Sequence, residues 1–178
     1  MAFGFPIGVF IHECGHFAAA KAFGWNTNFQ AAFVGWTHSS PPSASAVMVF
    51  LLAGVLFDVI FVSTGLFLLT RYMRTPTRQF NLALLTGTLL TAFSIRWGIS
   101  PVFVLLNSSD EAKMSSMLGL NRWVIPICTL PIGIGIAGYV ISAHIRNQTA
   151  IPLMAGAFGA FCGLGLWVNF VGPALFGR

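Results

Sequence analysis

Charge is what this chain has least of. Only 7% of its 178 residues are Asp, Glu, Lys or Arg, whereas a soluble domain carries about a quarter. So little charge cannot cover a water-facing surface, which excludes an ordinary soluble domain. The acids number four, Glu13, Asp58, Asp110 and Glu111. Each needs a reason, because an ionisable group in an apolar medium is costly and is kept for pairing or for function. The basic residues are scattered, mostly at segment ends, and form no dense patch for nucleic acid. Cysteine is sparse as well. Cys14, Cys128 and Cys162 have no C-x-x-C spacing, which argues against a disulfide framework and a thiolate zinc site. Each reads as a small buried apolar residue. Residues 1–24 lack a basic leader and are interrupted by His12, Glu13 and His16, so they read as part of the fold and not as a cleaved signal peptide.

What the chain has in plenty is apolar length. It is 56% hydrophobic, with a mean hydropathy of +0.83. Successive apolar stretches of about twenty residues predict an all-α, multi-pass integral membrane protein. Five transmembrane helices are expected, over about 2–23, 46–70, 80–106, 123–145 and 151–170. Together they make a single transmembrane domain spanning 1–178, in contact with membrane lipid. Pro101 predicts a kink or a helix end near Ile99 and Ser100. Ser108, with Glu111 three residues on, has a capping-box pattern and predicts a short interfacial helix that Gly119 can stop. Gly159-x-x-x-Gly163 predicts a packing face on the last helix. The 25–45 connector reads as an interfacial loop anchored by Trp25 and Trp36. Within it, 28–36 has the composition of a short β element able to pair with an extended peptide.

The first apolar segment contains His12-Glu13-Cys14-Gly15-His16, an H-E-x-x-H pattern. Residues four apart on a helix share a face, so His12 and His16 can point ring nitrogens at one Zn²⁺. Glu13 then sits beside the metal, where a general base for a zinc-bound water belongs. By chance the pattern is expected on the order of once in a thousand such chains. A pair of histidines and a glutamate hydrogen-bonded within the bundle is the alternative, and burying all three without a metal would be expensive.

Catalytic zinc takes three protein ligands and leaves a fourth position open. The third ligand is expected to be Asp110, after the third segment. Asp58, Glu111, His38 and His144 are the other candidates. Asp58 and Arg96 should lie at similar depth and can pair, which leaves Asp110 as the free carboxylate. His38 reads as a solvated loop residue, and His144 as an interfacial one beside Arg146.

The chain resembles the site-2 protease family of intramembrane zinc metalloproteases. The resemblance rests on His12-Glu13-Cys14-Gly15-His16 followed by Phe17-Ala18-Ala19, and on Ala53-Gly54, which is similar to the family's Ala-Gly-Pro element with Val55 in place of the proline. The family's third ligand is an aspartate, usually in Asp-Gly near an Asn and a Pro. Asp110-Glu111 stands in that place, with Asn107 three residues upstream and no proline between. Asn107 is thus either a group that polarises a substrate carbonyl or a helix-end loop residue. The resemblance covers about 1–120 and implies a three-helix catalytic core there, with 121–178 adding two further transmembrane helices. It implies a zinc metalloendopeptidase with one Zn²⁺ per chain that cleaves a transmembrane segment of another protein. It also implies that 28–36 is a membrane-dipping β element near the active site. The 71–79 loop is too short for an inserted PDZ-like domain. The rival reading is a non-proteolytic membrane protein that binds or transports metal.

Overall fold

The computed structural model of the protein describes residues 4–29, 34–37, 42–74, 80–105, 109–171 and 174. Among the described residues the chain is mostly helical, with one two-stranded sheet. Helix α1 (Gly4–Ala22) is followed by strands β1 (Asn26–Phe29) and β2 (Val34–Thr37). Then come α2 (Ala44–Met73), α3 (Phe80–Gly98), α4 (Ser100–Leu105), α5 (Asp110–Met117), α6 (Val124–Arg146) and α7 (Ala150–Leu166), which runs into a single π-helical turn, Trp167–Val171. Over their described residues the five segments expected from the sequence are helical, the third of them in two pieces. Two described helices, α2 and α6, are long and apolar enough to cross a membrane.

Helix α3 is the hub of the packing and touches α1, α2, α6 and α7. Its buried face supplies Leu84, Leu90, Phe93 and Trp97 to a core completed by Val62 and Leu69 of α2, Val140 of α6 and Leu153 of α7. Phe93 stacks on Phe61 with ring centroids 4.7 Å apart. Two buried hydroxyls of this helix are satisfied locally, Thr91 donating to the Gly87 carbonyl and Ser94 to that of Leu90. Such back-bonding lets a helix carry hydroxyls through an apolar interior. Pro101 cannot donate to the carbonyl four residues back, and the chain breaks into α3 and α4 at Ile99, where the sequence predicts it.

The connector between α1 and α2 contains a β-hairpin. Asn26 pairs with Thr37 and Phe29 with Val34, antiparallel. Phe29 anchors the hairpin on α1, its ring 5.3 Å from that of Phe10 and 5.9 Å from that of Phe17. Trp25, expected at headgroup level, packs inward with its ring centroid 5.8 Å from that of Phe50. Gly24 and Gly119 end α1 and α5 in the left-handed region, with φ of 71° and 72°, a conformation glycine adopts without strain. The cap of α5 is Ser109 and not Ser108, which lies outside the described residues along with Asn107 and His38. The Ser109 side chain accepts from the Ala112 amide.

The expected Gly159-x-x-x-Gly163 packing face holds in part, with Gly163 buried and Gly159 only half-buried. Space is open where a Gly159 side chain would sit. Helix α7 also packs through Leu153, Ala157 and Ala160. The closest glycine contact on α6 is Gly133, where a Cβ would lie 2.7 Å from the Ser94 carbonyl oxygen and 3.0 Å from the Gly98 nitrogen on α3. Gly133→Ala should therefore push α6 off α3 and destabilise the fold by about 1–3 kcal/mol. Gly135→Ala, at an open position, should be neutral or slightly stabilising. Thermal unfolding of both variants in detergent measures the contrast.

Candidate metal site

Helices α1 and α2 run antiparallel and cross closely. A Cβ on Gly15 would lie 2.7 Å from the Ala53 carbonyl carbon and 2.9 Å from Gly54 Cα. A Cβ on Gly54 would come 2.6 Å from Cε1 of both His12 and His16. The two imidazoles thus lie against bare backbone, each 2% exposed. Phe50, Gly54 and Asp58 are spaced four apart on α2 and share one face of that helix, opposite the His12–His16 face of α1. The Phe50 carbonyl accepts from Nδ1 of His16 at 2.7 Å, and its ring stacks on that imidazole with centroids 4.4 Å apart. Asp58 Oδ2 accepts from Nδ1 of His12 at 3.0 Å.

These partners decide where the ring hydrogens sit. A carbonyl or a carboxylate can only accept, so each histidine carries a hydrogen on Nδ1. In the neutral rings both Nε2 atoms are then lone pairs. They lie 2.9 Å apart. Asp110 Oδ2 lies 3.0 Å from Nε2 of His16 and 3.3 Å from Nε2 of His12. Three acceptors converge, and a single proton among them satisfies one contact. A cation with bonds of about 2.0–2.2 Å in tetrahedral geometry sets its ligands about 3.3–3.6 Å apart, a few tenths of an ångström wider than this triangle. The donor set, two imidazoles and a carboxylate, suits a divalent metal. Glu13 is 7% exposed. One of its carboxylate oxygens and a ring nitrogen of each histidine lie within 4.8 Å of one another, so the His12-Glu13-His16 group could hold a metal ion.

The remaining candidates fall elsewhere. Asp58 meets His12 on its Nδ1 side, away from the Nε2 cluster, and is paired with Arg96. Glu111 is buried and accepts a hydrogen bond from Ser109 Oγ at 2.8 Å. His144, expected at an interface, is 1% exposed. Its Nδ1 pairs with the Thr149 hydroxyl at 2.7 Å. Its ring packs against Gly87 of α3, which Leu153 of α7 also approaches, an arrangement that charge at a segment end does not reveal.

Asp110 sits in the first turn of α5, with its Oδ1 3.3 Å from Nζ of Lys113. Burial alone would raise its carboxyl pKa. Hydrogen bonds and charge from His12 and His16, present when an Nε2 carries a proton, outweigh that and hold it well below the usual carboxylate range. At neutral pH the group is therefore an anion aimed at the two Nε2 atoms. Two contributions to the site had no signal in the H-E-x-x-H pattern, the Phe50 carbonyl and the clearance at Gly54. The four-residue spacing of Phe50, Gly54 and Asp58 could have pointed to both.

Gly54→Ala should displace the imidazoles and weaken metal binding by at least about tenfold. Gly135→Ala should leave it unchanged. Competition with a chromophoric zinc chelator measures both.

No family model, curated protein sequence or solved structure matches this chain.

Proposed function

We propose that the chain is a multi-pass intramembrane zinc metalloendopeptidase of the site-2 protease kind, cleaving transmembrane segments of substrate proteins. The observation that carries this reading is the convergence of Nε2 of His12, Nε2 of His16 and Asp110 Oδ2 within 3.3 Å of one another, with Glu13 beside them. His12, His16 and Asp110 would hold the metal. When bound, zinc supplies Lewis-acid chemistry, acidifying a water and polarising a peptide carbonyl. Glu13 takes a proton from the attacking water and returns it to the leaving amine. The Asp110 side chain is 20% exposed and Lys113 56% exposed, so α5 is the side from which water reaches an otherwise buried site.

The membrane part of the reading is supported by an inside-out distribution of residues. Helix α2 turns Val49, Leu52, Leu56, Ile60 and Phe67 outward and keeps Asp58 inside. Ile151 and Phe158 of α7 are 83% and 71% exposed. An apolar exterior around buried polar groups suits lipid as the solvent. Helices α1 and α3, each of 19 residues, are about 28 Å long, close to the thickness of a hydrocarbon core of about 30 Å. With α2, α6 and α7 they make five passages. A substrate helix must unwind before attack, because helical carbonyls are engaged in hydrogen bonds. The β1–β2 hairpin, which pairs only with itself among the described residues, offers strand edges that can hold the unwound segment.

Glu13→Gln should retain zinc and lower cleavage of a model transmembrane substrate by about 10²–10⁴-fold, with metal content and cleavage measured on the same preparation. A wild-type protein that holds no zinc sinks the reading. Metal flux across proteoliposomes without cleavage would favour a transporter.

A further inference from the structure

The H-E-x-x-H pattern and Asp110 leave Asp58 and Arg96 without a role. Asp58 is fully buried in the middle of α2, at 0% exposure. One of its oxygens, Oδ2, takes both the Nδ1 hydrogen of His12, at 3.0 Å, and the Nη1 hydrogen of Arg96 from α3. Its other oxygen, Oδ1, is buried with no hydrogen-bond partner. All the bonding of this carboxylate is thus concentrated on one oxygen, which links Arg96 of α3 to the Nδ1 side of the His12 ring. Arg96 is also close enough to Asp110 and Glu111 to feel their charge.

A structural ion pair accounts for the burial of two charges but not for this direction. A pair that served only to neutralise itself would use both carboxylate oxygens against the guanidinium fork. Here Arg96 shares a single oxygen with an imidazole. A carboxylate behind a ligating histidine sets its tautomer and the plane of its ring. A side chain with two rotatable bonds, held only by His12, could swing, and Arg96 gives the same oxygen a second anchor on another helix. The backbone carbonyl of Phe50 does the same for His16 without needing a second anchor, because a helix carbonyl does not rotate.

We infer that Asp58, pinned by Arg96, is a positioning residue that holds the His12 imidazole with Nε2 turned to the metal, so that α3 contributes to metal affinity without supplying a ligand. The inference rests on the metal-site reading above. It requires that the two residues act as one unit and that neither touches the substrate.

The experiment uses the full chain in detergent micelles, with Zn²⁺ affinity from chelator competition and the visible absorption of the Co²⁺-loaded protein. Asp58→Asn, near-isosteric, should lower Zn²⁺ affinity by about 10–100-fold and shift the Co²⁺ bands, because the His12 donor moves. Arg96→Gln should produce a similar loss. The double variant should be no weaker than the poorer single one, since removing either half already frees the ring. Arg96→Lys keeps the charge but changes the length and shape of the side chain that delivers the Nη1 contact, and should shift the Co²⁺ bands even if Asp58→Asn does not fold. Variants that fold, bind Zn²⁺ with wild-type affinity and show unshifted Co²⁺ bands overturn the inference while the metal site stands. A purely structural pair would lower the unfolding temperature and leave the Co²⁺ spectrum alone, which also overturns it. A wild-type chain that binds neither ion overturns the metal reading and this inference together.

Discussion

The close crossing of α1 and α2 is the constraint on which the site depends. Gly15 meets Ala53 and Gly54 backbone to backbone, and the imidazoles of His12 and His16 fill the space that a side chain on Gly54 would need. Packing this tight leaves each ring few rotamers. The antiparallel register then sets Phe50 behind His16 and Asp58 behind His12. Two residues four apart on one helix are matched by three residues four apart on the other. The hydrogen on each Nδ1 follows from that match, and so does the direction of each Nε2.

The second organising constraint is charge. The chain has four acids, and the guanidinium of Arg96 lies within electrostatic reach of all of them. Asp58 is paired with it directly, Asp110 is turned to the imidazoles and to Lys113, and Glu111 takes a hydrogen bond from Ser109. Groups that are expensive to bury singly are gathered in one place, where a cation would complete their neutralisation. Around them the hydroxyls of Thr91 and Ser94 bond to their own helix, and the outward faces are apolar. In the proposed reading, this arrangement makes one polar, hydrated site affordable within a structure otherwise matched to lipid.

Much of the secondary structure was legible in the sequence because its causes are local. Apolar runs mark the helices, Pro101 marks the break after α3, and Gly24 and Gly119 mark ends where the backbone must turn left-handed. Signals that depend on a partner were read less well. Ser108 and Ser109 are chemically equivalent as caps, and only the start of α5 at Asp110 selects Ser109. Gly159-x-x-x-Gly163 has the spacing of a packing face, and Gly163 is buried while Gly159 looks into open space. Trp25 has the composition of an interfacial anchor, and its half-buried ring lies between Phe23 and Phe50, contacts that composition does not reveal. The hairpin has weak alternation along each strand, and its stability comes from pairing across the connector and from the packing of Phe29 on α1.

The candidate site divides along the same line. The sequence by itself determined that His12 and His16 share a helix face with Glu13 beside them, because a helical period of 3.6 residues requires it. It also limited the acids available to four, which made an Asp58–Arg96 pair and a free Asp110 the economical arrangement. Only the tertiary structure decided which side of His12 each aspartate occupies. That choice depends on the crossing of α1 and α2 and on where α5 docks, contacts between residues 46 and 98 positions apart. No local pattern encodes such contacts, since they arise only when the bare backbone at Gly15 and Gly54 lets the two helices meet.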